Sequence, residues 1–125
     1  PQTQISHEID YFLDYYTGLQ PKVLLTYERE AYYAIRESDV RITFDDQVMA
    51  RTSNVSLSAP PGGNSLLPDD RVLMEIKTAG GIPLWLTALL TREHIYKTPF
   101  SKYGKAYEAF IYPHTIHKTE DDLHA

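Results

Sequence analysis

Three stretches carry polar and charged residues at two-residue spacing: Tyr27 and Arg29 in TYEREAY, Arg41 and Thr43 in DVRITFD, and Glu75 and Lys77 in RVLMEIK. At period two, alternate residues share one face of a strand, so each stretch offers a charged face on regular backbone. An arginine fork on a rigid strand matches phosphate oxygens, and a charge-assisted hydrogen bond kept from water contributes about 1.5–3 kcal/mol. Several such groups in a confined channel would hold an anion with many phosphates. Glu75 among them would repel that anion unless it also held a metal, and hard divalent cations favour carboxylate and phosphate oxygens together. The competing reading is a solvated face on which the arginines pair with Glu28, Glu30 or Asp45.

These residues need a sheet to hold them. VLLTYEREAYYAI and VRITFDD are rich in β-formers and read as an antiparallel hairpin. Arg29 and Arg41 share a face only if paired residues have the same parity. That requires an odd-length connection, such as Arg36-Glu37-Ser38, or a bulge. After a possible short strand from residue 47, SAPPGGNSLLPDD is a loop, RVLMEIKT is the next strand, and Gly80-Gly81 ends it.

Helices fill out an α+β fold. Ile5, Ile9, Phe12, Leu13 and Tyr16 predict a helix over residues 7 to 17 capped by Ser6, and Pro83 opens another in PLWLTALLTRE. Trp85, Leu84, Leu86, Leu89 and Leu90 are expected in the core. Ser101 is placed to cap a third helix with the stripe Tyr103, Ala106, Tyr107, Phe110 and Ile111. Val40, Ile42, Phe44, Val72, Met74 and Ile76 form the apolar sheet face that the helices are expected to cover. The charged face would then lie opposite the helix layer, in water or lining a closed barrel. Residues 114–125 have no periodicity and read as a tail or linker.

The chain of 125 residues suits one domain with a modest core. Its net charge of -5 argues against broad binding to nucleic acid or anionic membrane, though not against a local basic site. Without cysteine there is no thiolate metal site, and a reducing, cytoplasmic location fits. No apolar run is long enough to span a bilayer. The five histidines, His7, His94, His114, His117 and His124, make no convincing ligand set, and there is no Walker-type loop, catalytic triad or dinucleotide fingerprint.

The order TYEREAY, DVRITFDD, LMEIKTAGGIPLWLTALL, FSKYGKAY resembles the second half of a VTC domain, the polyphosphate polymerase domain of the triphosphate tunnel metalloenzyme (CYTH-like) superfamily. The resemblance covers roughly residues 5 to 112. It implies an antiparallel β-barrel tunnel with a charged lumen, flanked by amphipathic helices, and transfer of the terminal phosphate of ATP to a growing polyphosphate chain with Mn²⁺ or Mg²⁺. It implies that Arg29, Arg41 and Lys102 act catalytically on phosphate. Tyr27 and Ser101 join them in substrate binding, and Glu75 holds the metal; Lys77 shares the Glu75 face and is placed to reach phosphate, with a plain surface lysine as the alternative. Ser101 and Lys102 match the family's F-S-K segment, which stands where a helix begins. Lys105 would assist weakly, and Arg51 is poorly aligned. The resemblance further implies that residues 1–113 are the C-terminal portion of a tunnel domain. Its partners would be ATP and polyphosphate, with a complementary N-terminal half or self-association covering unpaired strand edges. Hydrolysis of a triphosphate or nucleotide, or polyphosphate binding without turnover, are the alternative functions.

Overall fold

A computed structural model describes residues 3–35 and 39–113. The loop Arg36-Glu37-Ser38 and the segment 114–125, with His114, His117 and His124, lie outside the described residues. The described elements are mixed helix and antiparallel sheet. The strands are β1 (Leu24–Tyr33), β2 (Arg41–Arg51), the two-residue β3 (Asn64–Ser65) and β4 (Leu73–Lys77). The helices are α1 (Gln4–Tyr15), α2 (Leu84–Arg92) and α3 (Lys102–Ala106), the last running into a π-helical turn over Tyr107–Ile111.

β2 is the central strand: it pairs antiparallel with β1 along one edge and with β3 and β4 along the other. Among the described residues the sheet does not close into a barrel, and the outer edges of β1 and β4 are unpaired. Tyr33 pairs with Arg41 and Arg29 with Asp45, so paired residues have the same parity, as a shared arginine face requires. Ala34 N–H donating to the Val40 carbonyl extends this register into the connection.

A bulge decides what the sheet buries. Between the pairs Thr26–Met49 and Glu28–Asp46, β2 spends one residue more than β1, and Gln47 takes a φ of 46°. Parity on β2 therefore switches at the bulge. Ala50 stands opposite Leu25, on the same β1 face as Arg29, so Val48 and Ala50 join Thr43 and Asp45 on one side. All four are buried. They account for the burial pattern of β2, which alternates on both sides of the bulge with a break in phase at it.

This arrangement corrects the expected helix layer. α3 packs against β2, and Lys102 from its first turn reaches Asp45, so α3 lies on the charged face and not behind it. The apolar patch that the bulge adds beside the charges gives that face something to bury. On the other face Val40 is buried and Ile42, Met74 and Ile76 are half-buried, while Phe44 and Val72 are exposed.

The helices depart from expectation in other ways. α1 starts at Gln4, three residues early, because Thr3 is its cap. Thr3 Oγ1 accepts from Ser6 N–H while Ser6 Oγ accepts from Thr3 N–H, a reciprocal box with Ser6 in its third helical position. No α1 residue is buried, so its apolar stripe has no cover among the described residues. In α2, Pro83 precedes the first turn, and its carbonyl accepts from Leu86 and Thr87 N–H. Only Leu86 is buried there; Leu84 is 88% and Trp85 50% exposed, so the expected Trp85–leucine core reduces to one side chain.

Candidate functional site

The register arranges the charged face as rungs across three strands. Tyr33, Arg41 and Lys77 form one rung, Ala31, Thr43 and Glu75 the next, and Arg29, Asp45 and Leu73 the third. Tyr27 lies one step beyond Arg29 on the same face of β1.

The third rung holds the tightest contacts. Arg29 Nε donates to Asp45 Oδ1 at 2.5 Å and Arg29 Nη2 to Asp45 Oδ2 at 2.7 Å, a two-pronged fork between directly opposed residues. Lys102 Nζ comes from α3 to within 2.6 Å of the same Oδ2. The Asp45 side chain is 0% exposed, against 26% for Arg29 and 16% for Lys102. Both cations lie over the Tyr27 ring, with Arg29 Cζ 4.9 Å and Lys102 Nζ 4.8 Å from its centroid. The hydrogen bond from Arg29 holds the Asp45 carboxyl below the usual carboxylate range; burial opposes this, and Lys102 reinforces it. The Arg29 guanidinium is correspondingly pushed above its ordinary value, chiefly by that same hydrogen bond, with burial opposing and the charges of Asp45, Tyr27 and Glu75 adding to it.

The other rungs are less neutralised. Glu75 Oε1 is 3.2 Å from Lys77 Nζ, and its Oε2 is 3.6 Å from Arg29 Nη2. Arg41 stands directly opposite Lys77, a like-charge pair that a sheet pays for unless something negative binds. Its guanidinium lies 5.3 Å from the centroid of Tyr33, its other rung neighbour. Buried Arg41 Nε and Thr43 Oγ1 have no hydrogen-bond partner among the described residues. Across the rungs, Arg29, Arg41, Lys77 and Lys102 outnumber Asp45 and Glu75, so the face is net positive on a chain that is net negative.

The structure thus brings Tyr27, Arg29, Arg41, Glu75, Lys77 and Lys102 onto one face. Ser101 is engaged as the α3 cap, its Oγ accepting from Gly104 N–H at 3.1 Å. Lys105 pairs with Glu108, away from the rungs. Arg51 projects from the opposite face of β2, beyond the bulge, with Nε and Nη2 buried and unpartnered among the described residues. Sequence reasoning missed the centrality of Asp45, which it held only as one of three acids able to pair with an arginine. The signal was present: with same-parity pairing, Asp45 is two steps from Thr43 on the Arg41 face and falls opposite Arg29.

A divalent cation finds no all-protein centre here. Among the described residues no three of His, Cys, Asp and Glu gather, and both Asp45 oxygens are already bonded. Glu75, with its side chain 38% exposed, is the remaining carboxylate of the face, and its oxygens already stand against cations, Oε1 against Lys77 at 3.2 Å and Oε2 against Arg29 at 3.6 Å. A single carboxylate suits only a cation whose remaining ligands are water and phosphate oxygens.

No helix among the described residues is long and apolar enough to cross a membrane. Searches of curated proteins and of solved structures gave no match. The family model of the VTC domain, by contrast, matches residues 1–111, which takes in every rung of the charged face together with α3. On that match the chain belongs to the VTC domain family.

Proposed function

We propose that this chain binds polyphosphate on its charged face and serves as part of a polyphosphate polymerase domain that transfers the terminal phosphate of ATP to the growing polymer. Family membership supports a polyphosphate-polymerase-related role. The observation that carries the reading is the opposed pair Arg41 and Lys77, whose charges the described residues leave only partly answered.

Phosphoryl transfer asks for alignment and charge neutralisation more than for covalent help from the protein. Arg41 and Lys77 would clamp phosphate oxygens at one end of the face, and Arg29 and Lys102 would do so at the other with the hydrogens that Asp45 leaves free. Tyr27, whose ring lies against both of the latter cations, would donate its phenol hydrogen. Among the described residues Glu75 would be the ligand of a Mn²⁺ or Mg²⁺ ion, which neutralises phosphate charge when bound. Ser101 would act through the cap that fixes Lys102.

In this reading the open sheet is the C-terminal portion of the tunnel domain. Further strands, from a complementary N-terminal half or a second copy, would cover the edges of β1 and β4 and close the lumen. A second reading, polyphosphate binding without turnover, is favoured by Glu75 being the one carboxylate left to a metal on this face among the described residues. Incubation of the completed tunnel domain with ATP and Mn²⁺, following ADP and polyphosphate, separates the readings. Polymer formation that is lost in Arg41→Ala supports the polymerase, phosphate without polymer points to a hydrolase, and binding without turnover leaves the recognition module.

A further inference from the structure

We propose that Asp45 is a positioning residue for anion recognition, fixing Arg29 and Lys102 as one unit whose free hydrogens face the ligand. This rests on the reading of the rungs as a polyphosphate site.

Asp45 cannot itself meet a ligand. It is 0% exposed and both oxygens are consumed, Oδ1 by Arg29 Nε and Oδ2 by Arg29 Nη2 and Lys102 Nζ. What it does, it does through those two cations. The guanidinium is planar, so anchoring it through Nε and one Nη fixes the direction of its remaining donors. Lys102 is a flexible point charge from an element distant in sequence, and its bond to the same Oδ2 sets where that charge stands relative to Arg29. Two cations over one Tyr27 ring would repel without a shared anion beneath them. The trio keeps one net positive charge, so Asp45 holds both donors in place without cancelling them.

The inference makes a prediction opposite in sign to simple charge counting. Removing a negative charge beside an anion site should tighten binding if Asp45 acts by charge alone. If it acts by position, binding should weaken in spite of the added positive charge. For supporting groups of this kind the loss is on the order of tenfold or more.

The test is calorimetric titration of tripolyphosphate into the 125-residue chain at fixed ionic strength, comparing wild type, Asp45→Asn and Asp45→Glu. The expected result is a Kd raised about tenfold in Asp45→Asn with unchanged stoichiometry. An unchanged or lowered Kd overturns the inference. So does reduced stoichiometry at wild-type Kd, which is the mark of a merely structural loss. If Asp45→Asn does not melt cooperatively, Asp45→Glu decides on the same criterion, since it keeps the charge and displaces the acceptors by one methylene. Failure of the wild type to bind would instead remove the polyphosphate reading, and this inference with it.

Discussion

Replacing Asp45 by alanine should cost this fold more than any other single charge removal on the sheet. The carboxylate is fully buried and accepts contacts of 2.5, 2.7 and 2.6 Å from two cations. Taking one partner from a buried ion pair costs about 3–5 kcal/mol, because the other is left desolvated and unanswered. Here the stranded partners keep 26% and 16% of their side chains in water and can rehydrate in part, which points to the lower end, about 3 kcal/mol. For a chain of this size that is a fall in Tm of roughly 10 °C. Urea denaturation followed by far-ultraviolet circular dichroism measures the difference at pH 7.

The pH dependence has a definite sign. Because Arg29 above all holds the folded-state carboxyl below its ordinary range, the stabilisation is complete above the unfolded-state pKa of about 3.9. It drains away as pH falls below that value towards the lowered folded one. The gap between wild type and Asp45→Ala should therefore narrow on acidification below about pH 4. A loss under about 1 kcal/mol at pH 7, or a gap that stays constant into acid, would refute the buried-ion-pair account.

Three further outcomes follow from local geometry. Gly63→Ala should destabilise by roughly 3 kcal/mol in the same denaturation assay, since the residue has a φ of 134° and a Cβ there would lie 2.3 Å from the Ala50 carbonyl oxygen. Ser101→Ala should lose about 1 kcal/mol with the cap on α3, and a neutral result would show that Lys102 is placed without it. Sedimentation velocity should show concentration-dependent association of the isolated chain, because the edges of β1 and β4 and the apolar stripe of α1 are uncovered among the described residues; a monodisperse monomer that melts cooperatively would count against this.

Much of the charged face could be read from period-two spacing, because alternation fixes which residues of one strand share a face and the register then joins the strands. Tyr27, Arg29, Arg41, Glu75 and Lys77 fall together for that reason. The parity condition on the hairpin was equally readable, since it is arithmetic. What spacing could not supply was the side on which a helix lands. The bulge at Gln47 carries no glycine to announce it, yet it moves Val48 and Ala50 to the charged face and lets α3 dock there. Trp85 and its leucines illustrate another limit: an apolar run states a preference for burial, and whether enough surface exists to bury it depends on what else packs nearby. The capping error at Ser6 was smaller, a choice between two hydroxyls three residues apart that bond to each other's backbone.

Among the described residues Arg41 is the least answered cation of the charged face, which we propose to be an anion site. The most direct test of that proposal is titration of tripolyphosphate into wild type and Arg41→Ala at low and moderate salt, with thermal melts alongside. Expected are binding by wild type that weakens with salt, a Kd raised about tenfold or more by the substitution, and a Tm changed little, because relief of the opposition to Lys77 offsets the lost contact with Tyr33. Equal binding by the two proteins, or none by either, would contradict the proposal.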